Sequence, residues 1–182
     1  MIREATLNDL DEIWKLRLET TQLLKERGID QWQYVDPSIE TFKKDILAHE
    51  FFVYEQDQSI VGMIAIKSGI EPTYLTIYDG AWHVDQPYLT IHRLAVKKNR
   101  LGSSIAKNLL IYAEKRAKDL KTPYIRIDTH EHNRYAIRLF TSFGYQLCGY
   151  ILLAQKHGDL KRLAYDKQLK EINYTKSSGN SE

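Results

Sequence analysis

Residues 91–110 have the sequence IHRLAVKKNRLGSSIAKNLL, and this stretch contains the pattern that decides the fold. Residues 88–96 are apolar through much of their length, which predicts a β-strand covered on both faces. From Ser103 to about residue 118, apolar side chains recur at helical spacing and predict a helix. A short basic turn joins the two, so the stretch predicts a strand–turn–helix unit.

The start of this helix has the features of an anion site. Gly102, Ser103 and Ser104 are small and let a ligand approach the backbone closely. The first turn of a helix offers unpaired N–H groups and the positive end of the helix dipole. These features predict a site for a phosphate or diphosphate, with a solvated basic turn as the alternative interpretation. Four cations lie in or near the turn: Lys97, Lys98, Arg100 and Lys107.

Other phosphate and nucleic-acid sites are not indicated. A P-loop requires Gly-Lys-Ser or Gly-Lys-Thr, and a dinucleotide fingerprint requires three spaced glycines. Gly102 is the one glycine of residues 91–110, and a serine follows it. The net charge of +2 gives no general argument for nucleic acid, so we expect no nucleic-acid partner.

The flanking sequence predicts further strands and helices around this unit. Before it we expect a strand at residues 2–5, a helix capped by Asn8 or Asp9 and ended by Gly28, a helix from Pro37 or Ser38 to residue 49, and strands at 51–55 and 60–67. Residues 69–87 are expected to form an insertion with some strand at 74–78. After the unit we expect a strand at 124–128, a helix capped by Asn133 and ended by Gly144, and strands at 145–153 and 162–167. This order predicts a mixed sheet covered by helices.

The composition indicates one globular domain followed by a polar tail. We expect a single domain over residues 1–170 and a disordered tail over residues 171–182. Cys148 is the one cysteine, so no intrachain disulfide can form, as is typical of the cytoplasm. No apolar run approaches the roughly 20 residues needed to cross a bilayer. We therefore expect a cytoplasmic protein with no membrane partner.

Two blocks of the sequence resemble the GNAT family of N-acetyltransferases. In that family a strand ending in Leu-Ala-Val leads to the motif Arg/Gln-x-x-Gly-x-Gly/Ala, which holds the diphosphate of coenzyme A. The motif falls on residues 101–106, where Leu101 replaces the usual Arg or Gln and Ser104 stands at a glycine position. The second block resembles the family pattern Asn-x-x-Ala-x-x-Leu-Tyr-x-x-x-Gly-Phe at Asn133, Ala136, Leu139, Phe140, Gly144 and Tyr145. Segments 28–33, 91–93, 126–131 and 162–165 resemble a bacterial subgroup of the family.

The resemblance implies an α+β fold of the acyl-coenzyme A N-acyltransferase type, with a twisted, mostly antiparallel mixed sheet flanked by helices. It implies acetyl-coenzyme A as cofactor and direct transfer of the acetyl group, within a ternary complex, to an amine of a small molecule or peptide. A catalytically weak coenzyme A-binding or regulatory protein is the alternative, and a homodimer is left open. The pantetheine arm would pair with the backbone of residues 94–96. The implied cofactor-binding residues are Leu94, Ala95, Val96, Leu101, Gly102, Ser103, Ser104, Ile105, Ala106 and Asn133, and the implied acceptor-binding residues are Gln31 and Trp32.

Three residues are candidates for the catalytic chemistry. His92 is the first candidate base, because imidazole titrates near neutral pH, and strand alternation would place it on the face of Leu94 and Val96. A satisfied sheet histidine is the alternative. Asp128 and His130 lie at the end of the next predicted strand, where Asp128 could orient a histidine or bind the substrate ammonium. His130 and His132 have no further ligand cluster beside them, so we predict no metal site.

Several other side chains keep open roles at this stage. The family's usual acid is a tyrosine at the position of Phe140, which has no proton to donate, so Tyr135, Tyr145, Tyr150 or a water could serve instead. Arg93 would alternate to the face opposite His92 and either pair with a carboxylate or contact the substrate. Cys148 lies in an apolar strand and is not expected to act as a nucleophile.

Overall fold

The computed structural model describes residues 1–170, so the predicted tail lies outside the described residues. The described chain forms seven strands and four α-helices. The strands are β1 (Ile2–Glu4), β2 (Phe51–Gln56), β3 (Ser59–Lys67), β4 (Leu89–Val96), β5 (Tyr124–Thr129), β6 (Gln146–Leu152) and β7 (Lys161–Gln168). The helices are α1 (Leu10–Glu26), α2 (Ile39–Leu47), α3 (Ile105–Asp119) and α4 (Arg134–Ser142). None of the helices in residues 1–170 is long and apolar enough to span a bilayer.

All seven strands form one sheet in the order β1-β2-β3-β4-β5-β7-β6, and β4 and β5 are its one parallel pair. Successive side chains of β2 lie on opposite faces of the sheet and belong to two different apolar cores. Phe52 packs with α3 and α4 on one face, whereas Phe51 and Val53 pack with α1 and α2 on the other. The predicted mixed, mostly antiparallel sheet flanked by helices is therefore confirmed.

The parallel pair separates early, and this separation positions the site. The ladder between β4 and β5 joins only residues Leu89–Ile91 to Ile125–Ile127 within the described chain. Beyond Ile91, β4 pairs with β3 alone, so the edge of residues 92–96 that faces β5 has no strand beside it. A ligand can therefore add to β4 here as an extra strand would.

An irregularity in β4 corrects one prediction about side-chain direction. The pairing with β3 shifts between Met63 and Ala65, and Arg93 has a φ of 55°. This bulge inserts one extra residue and reverses the alternation beyond it. Leu94 and Val96 pack against the α3 face, whereas the His92 ring contacts groups on the other face. The expectations that His92 shares the face of Leu94 and Val96, and that Arg93 alternates away from His92, are therefore wrong.

The insertion between β3 and β4 is less regular than expected. The predicted strand at residues 74–78 is absent from the described chain, where a 3₁₀ turn, Pro72–Tyr74, and one isolated bridge between Tyr78 and Tyr150 occur instead. The segment is fixed to the sheet by side chains rather than by a ladder. Trp82 covers the guanidinium of Arg126, and the His83 ring lies 2.7 Å from an oxygen of Asp166.

Candidate active site

A cleft of about 520 Å³ opens where β4 and β5 separate, between α1, α3 and α4. Its floor is the end of β4, and the turn before α3 closes one side. The predicted cofactor residues that line it are Leu94, Ala95, Val96, Leu101, Gly102, Ser103, Ala106 and Asn133. Ser104 and Ile105 do not line it, and Ile105 is buried in the core against the sheet.

The N–H groups at the start of α3 divide into bonded and free sets. Leu101 donates to the carbonyl of Lys98, Ser103 donates to that of Arg100, and Ile105 donates weakly to the hydroxyl of Ser103. Within residues 1–170 no acceptor bonds to the N–H groups of Gly102, Ser104, Ala106 and Lys107. α3 begins at Ile105, two residues later than predicted, and the first N–H groups of a helix have no partner within the helix.

Gly102 makes this arrangement possible. Its φ of 80° lies in the left-handed region, which residues other than glycine adopt only with strain. A Cβ built on Gly102 would meet no atom within 4 Å, so the space beside its backbone is open. An anion can therefore approach the free N–H groups.

The charges around the cleft have one sign. Four cations line it and none of its lining residues is acidic. Lys97 and Lys98, which were predicted to add charge, do not line it, and Lys98 instead pairs with Glu26 at 3.0 Å. Arg27 and Arg138 were not predicted, because they come from α1 and α4. The lining cations are Arg27, Arg100, Lys107 and Arg138.

A second cavity of about 260 Å³ lies on the other side of β4. It shares Leu94, Asn133 and Ala136 with the cleft, so the two spaces meet beside β4. The predicted residues Gln31, Trp32, His92 and Asp128 all line this second cavity, together with Asn133. The side-chain amide of Asn133, which lines both spaces, donates to Gln31 of the second cavity at 3.2 Å. After the roles that the sequence predicted for their lining residues, we call the first space the coenzyme cleft and the second the acceptor cavity.

His92 is held by a carboxylate from the insertion. Its Nε2 lies 2.9 Å from Oε2 of Glu71, and both side chains are about one fifth exposed. Burial favours the neutral acid, but the hydrogen bond and charge of His92, with further bonds from Thr73, lower the pKa of Glu71 to about 2. Because an ionised carboxylate only accepts, Nε2–H donates to it. Nδ1 bonds to no described residue, and in the neutral ring it carries the lone pair.

Asp128 is oriented by another residue of the insertion. The hydroxyl of Tyr74 donates to its Oδ1 at 2.6 Å, and Tyr74 is buried. Burial and the negative charge of Asp128 raise the pKa of Tyr74, so the hydroxyl keeps its proton. Oδ2 of Asp128 bonds to no described residue, so this carboxylate can bind a cation in the acceptor cavity.

His130 lies outside both cavities. It is buried, and both ring nitrogens have partners. The N–H of His132 donates to its Nδ1 at 3.1 Å, and its Nε2 donates to Asp159 at 3.0 Å. The ring therefore fixes the turn that follows β5 and has no nitrogen available for the substrate.

The candidate proton donors lie in different places. Phe140 lines the acceptor cavity, whereas Tyr145 is buried in the core and burial raises its pKa. Tyr150 stacks on Tyr78 and lines neither space. Tyr135 is the one tyrosine among the described residues that line the coenzyme cleft.

Cys148 belongs to a separate cluster. Its Sγ lies 3.3 Å from Nδ1 of His83, and the ligand-type atoms of His83, Cys148 and Asp166 lie within 4.8 Å of one another. Burial and the charge of Asp166 raise the pKa of the Cys148 thiol to about 12. Asp166 also accepts from Tyr124 and from the N–H of His83. These bonds fix the insertion to the sheet at a place that lines neither cavity.

Two important residues of the site were missed by the sequence reasoning. Glu71 and Tyr74 lie in the insertion, and the contacts they make are with residues 21 and 54 positions away. The local signal was the Glu-Pro pair of residues 71 and 72, which begins the 3₁₀ turn with the Glu71 side chain as its cap. That signal predicts a turn but does not indicate its partners.

Comparison with known proteins shows the family of this chain. The model of the acetyltransferase (GNAT) family matches residues 10–145. A GNAT acetyltransferase from Streptococcus agalactiae 2603 is 33% identical, covers 94% of this chain and 96% of its own, and has a TM-score of 0.83. An uncharacterized N-acetyltransferase of Bacillus subtilis, YesJ, is 23% identical over 147 residues, which are 80% of this chain and 81% of that protein. The PaiA N-acetyltransferase of Thermoplasma acidophilum, solved in complex with coenzyme A, is 19% identical, covers 92% and 98% of the two chains, and has a TM-score of 0.67.

Proposed function

Because the chain belongs to the acetyltransferase (GNAT) family and is an acetyl-coenzyme A-dependent N-acetyltransferase, we propose that its acceptor is a primary amine of a small molecule or peptide, acetylated by direct attack in a ternary complex. We propose further that residues 1–170 form a single N-acetyltransferase domain. One observation carries the proposal: the coenzyme cleft meets the acceptor cavity beside β4, and His92 lines that cavity.

The residues of the coenzyme cleft fit coenzyme A. The free N–H groups of Gly102, Ser104, Ala106 and Lys107 are suited to the diphosphate oxygens, and the cations supply the counter-charge. The unpaired edge of residues 92–96 is suited to the amide groups of the pantetheine arm. When bound there, acetyl-coenzyme A supplies a thioester acetyl group with a good leaving group, since a thiol has a pKa of about 8.5.

His92 acts as the general base in this proposal. An amine such as that of lysine has a pKa near 10.4, so only about one molecule in 10³ is neutral at pH 7. Asp128 binds the ammonium form through its free oxygen, and Nδ1 of His92 takes the proton. Glu71 holds the opposite ring nitrogen and stabilises the imidazolium that forms.

The position of Phe140 is compatible with this chemistry. A phenyl ring donates no proton, but a thiol can leave as thiolate with little help. Phe140 instead gives the acceptor cavity an apolar wall. If a donor is used, Tyr135 is the tyrosine placed in the coenzyme cleft.

Incubation of the protein with acetyl-coenzyme A and a panel of amines tests the proposal. We expect release of free thiol with at least one amine. The alternative, a coenzyme A-binding protein without catalysis, is favoured by the departures at Phe140 and Ser104. It predicts tight coenzyme A binding by calorimetry and no thiol release with any amine.

A further inference from the structure

Arg93 is an unusual group in the acceptor cavity. It lies at the bulge of β4, its side chain is 16% exposed, and it lines the cavity. Its Nη1 lies 2.8 Å from Oδ2 of Asp45 on α2, but the two groups are not aligned for a hydrogen bond. Burial lowers the pKa of Arg93 and the charge of Asp45 opposes this, so the guanidinium stays charged.

The hydrogen-bonding capacity of this guanidinium is unused. Nε and Nη1 are sealed from solvent without a hydrogen-bond partner, and Nη2 also bonds to no residue of the described chain. A guanidinium has five N–H donors, and buried donors in folded proteins are nearly always bonded. The buried arginine Arg17, in contrast, donates to the carbonyls of Pro37 and Tyr34 and to the hydroxyl of Thr21. Nη1 faces Asp45, and Nη2, which has no partner and is not sealed from solvent, is the donor that Arg93 offers to a ligand in the cavity.

The other charges of the cavity point to a ligand with both signs. Asp36 and Asp128 line the cavity together with Arg93 and Arg162. Arg162 donates to the carbonyls of Asp159, Lys161 and Asp30, whereas Arg93 makes no hydrogen bond within the described chain. The volume of about 260 Å³ is at the small end for ligand pockets.

We propose that the acceptor is a small amine that also carries a carboxylate, such as an amino acid, and that Arg93 binds this carboxylate while Asp128 and His92 receive the amine. This inference deepens the proposed function and rests on it. A carboxylate accepts a charge-assisted hydrogen bond from Nη2, and this bond is stronger than the one an uncharged amide oxygen accepts. Arg93 then acts as a specificity residue, whose effect differs between acceptors.

Matched pairs of acceptors test the inference. Amino acids and their amides, for example glycine with glycinamide and lysine with lysinamide, differ in one charge and little in shape. We expect kcat/KM for acetylation to be at least about tenfold higher for the acids, which is the size of one charge-assisted hydrogen bond. The amine of an amide is the more easily deprotonated, so the comparison is weighted against the inference. Equal or higher rates with the amides would overturn it and leave the proposed function standing.

Three variants separate binding from folding. Arg93→Gln removes the charge, and Arg93→Lys keeps a cation beside Asp45 but has no second nitrogen to offer a ligand. Both should abolish the preference for acids while leaving coenzyme A affinity unchanged. Lys67→Gln is the matched control, because Lys67 is the other cation of Asp45, at 2.6 Å, and does not line the cavity. It should lower thermal stability and keep the preference, and loss of the preference in this variant would contradict the role of Arg93.

A binding measurement distinguishes the two proposals. If no member of the panel is acetylated, the proposed function fails on that panel. Thermal shift with coenzyme A present then decides the inference. Stabilisation by the acids but not by the amides, lost in Arg93→Lys, supports the carboxylate site, and equal behaviour of acids and amides refutes it.

Discussion

The two cavities of this protein differ in the chemical groups that line them. The coenzyme cleft is lined by four cations and no acidic residue, and free backbone N–H groups lie at the start of α3 beside it. The acceptor cavity combines Asp36 and Asp128 with Arg93 and Arg162, which come from distant parts of the chain. The first arrangement suits a long polyanion, and the second suits a small molecule with charges of both signs.

This difference teaches how such a fold can keep its cofactor while changing its substrate. Backbone N–H groups are independent of side-chain identity, so we expect the coenzyme cleft to tolerate Leu101 and Ser104 in place of the family's usual residues. The acceptor cavity depends on particular side chains, such as Glu71 behind His92 and Tyr74 behind Asp128. Changes in the insertion can therefore change the acceptor without disturbing the coenzyme.

The difference between the two cavities is tested most strongly at His92, the proposed general base, which lines the acceptor cavity. His92→Gln should lower kcat by about 10²–10⁴, because a general base is lost. Glutamine can still donate to Glu71, so the fold should be retained. Coenzyme A affinity, measured by calorimetry, should stay within about twofold if the two cavities are energetically separate. Normal turnover in this variant would remove His92 from the mechanism.

The corresponding change in the coenzyme cleft is Gly102→Glu. We expect coenzyme A affinity to fall by about 100-fold, since a carboxylate would face the diphosphate and about 2.7 kcal/mol corresponds to that factor. Gly102→Ala is the matched control, because it introduces the strain at a φ of 80° without the charge and its Cβ meets no atom. It should weaken binding about tenfold or less. Equal affinities for wild type and Gly102→Glu would show that the diphosphate lies elsewhere.

A smaller effect is expected at Glu71, which positions His92. Glu71→Gln should lower kcat about tenfold, because loss of orientation worth about 1.4 kcal/mol raises the barrier by that amount. The pKa of Glu71 is lowered from its ordinary value of 4.5 to about 2. The wild-type carboxylate therefore stays ionised at pH 4.5 and above. The tenfold difference should therefore be constant across neutral pH and shrink only as wild type is acidified toward the pKa of Glu71. Glu71→Asp, which keeps the charge, should recover part of the rate, and no recovery would indicate a purely structural role.

The smallest predicted difference between the two cavities is in how ionic strength changes their ligand affinities. Raising salt from about 0.05 M to about 0.2 M should weaken coenzyme A binding about threefold, because the lining cations are partly exposed and are screened. The KM of the acceptor should change less, since two acidic and two basic residues line its cavity and their charges balance. A stronger salt effect on the acceptor than on the coenzyme would reverse the comparison.

The sequence predicted the backbone of the coenzyme cleft better than that of the acceptor cavity, because the cleft is built from local patterns and the cavity from contacts between distant residues. The strand, turn and helix of residues 91–110 follow from local spacing, and so do the caps at Asn133 and Gly144. The bulge at Arg93 left no such signal, because no glycine marks it, and it reversed the direction expected for His92. Glu71 and Tyr74 are placed by tertiary contacts in an irregular segment, where periodicity carries no information about partners.

The central claim is that the amides at the start of α3 bind the diphosphate. Titration of ¹⁵N-labelled protein with coenzyme A, followed by ¹H–¹⁵N correlation spectra, tests it most directly. We expect downfield ¹H shifts for Gly102, Ser104, Ala106 and Lys107, and smaller changes for Leu101, Ser103 and Ile105, whose N–H groups are already bonded. Pantetheine, which lacks the diphosphate, should leave the four free amides almost unmoved. Equal shifts across residues 101–107, or the same shifts with pantetheine, would contradict the account.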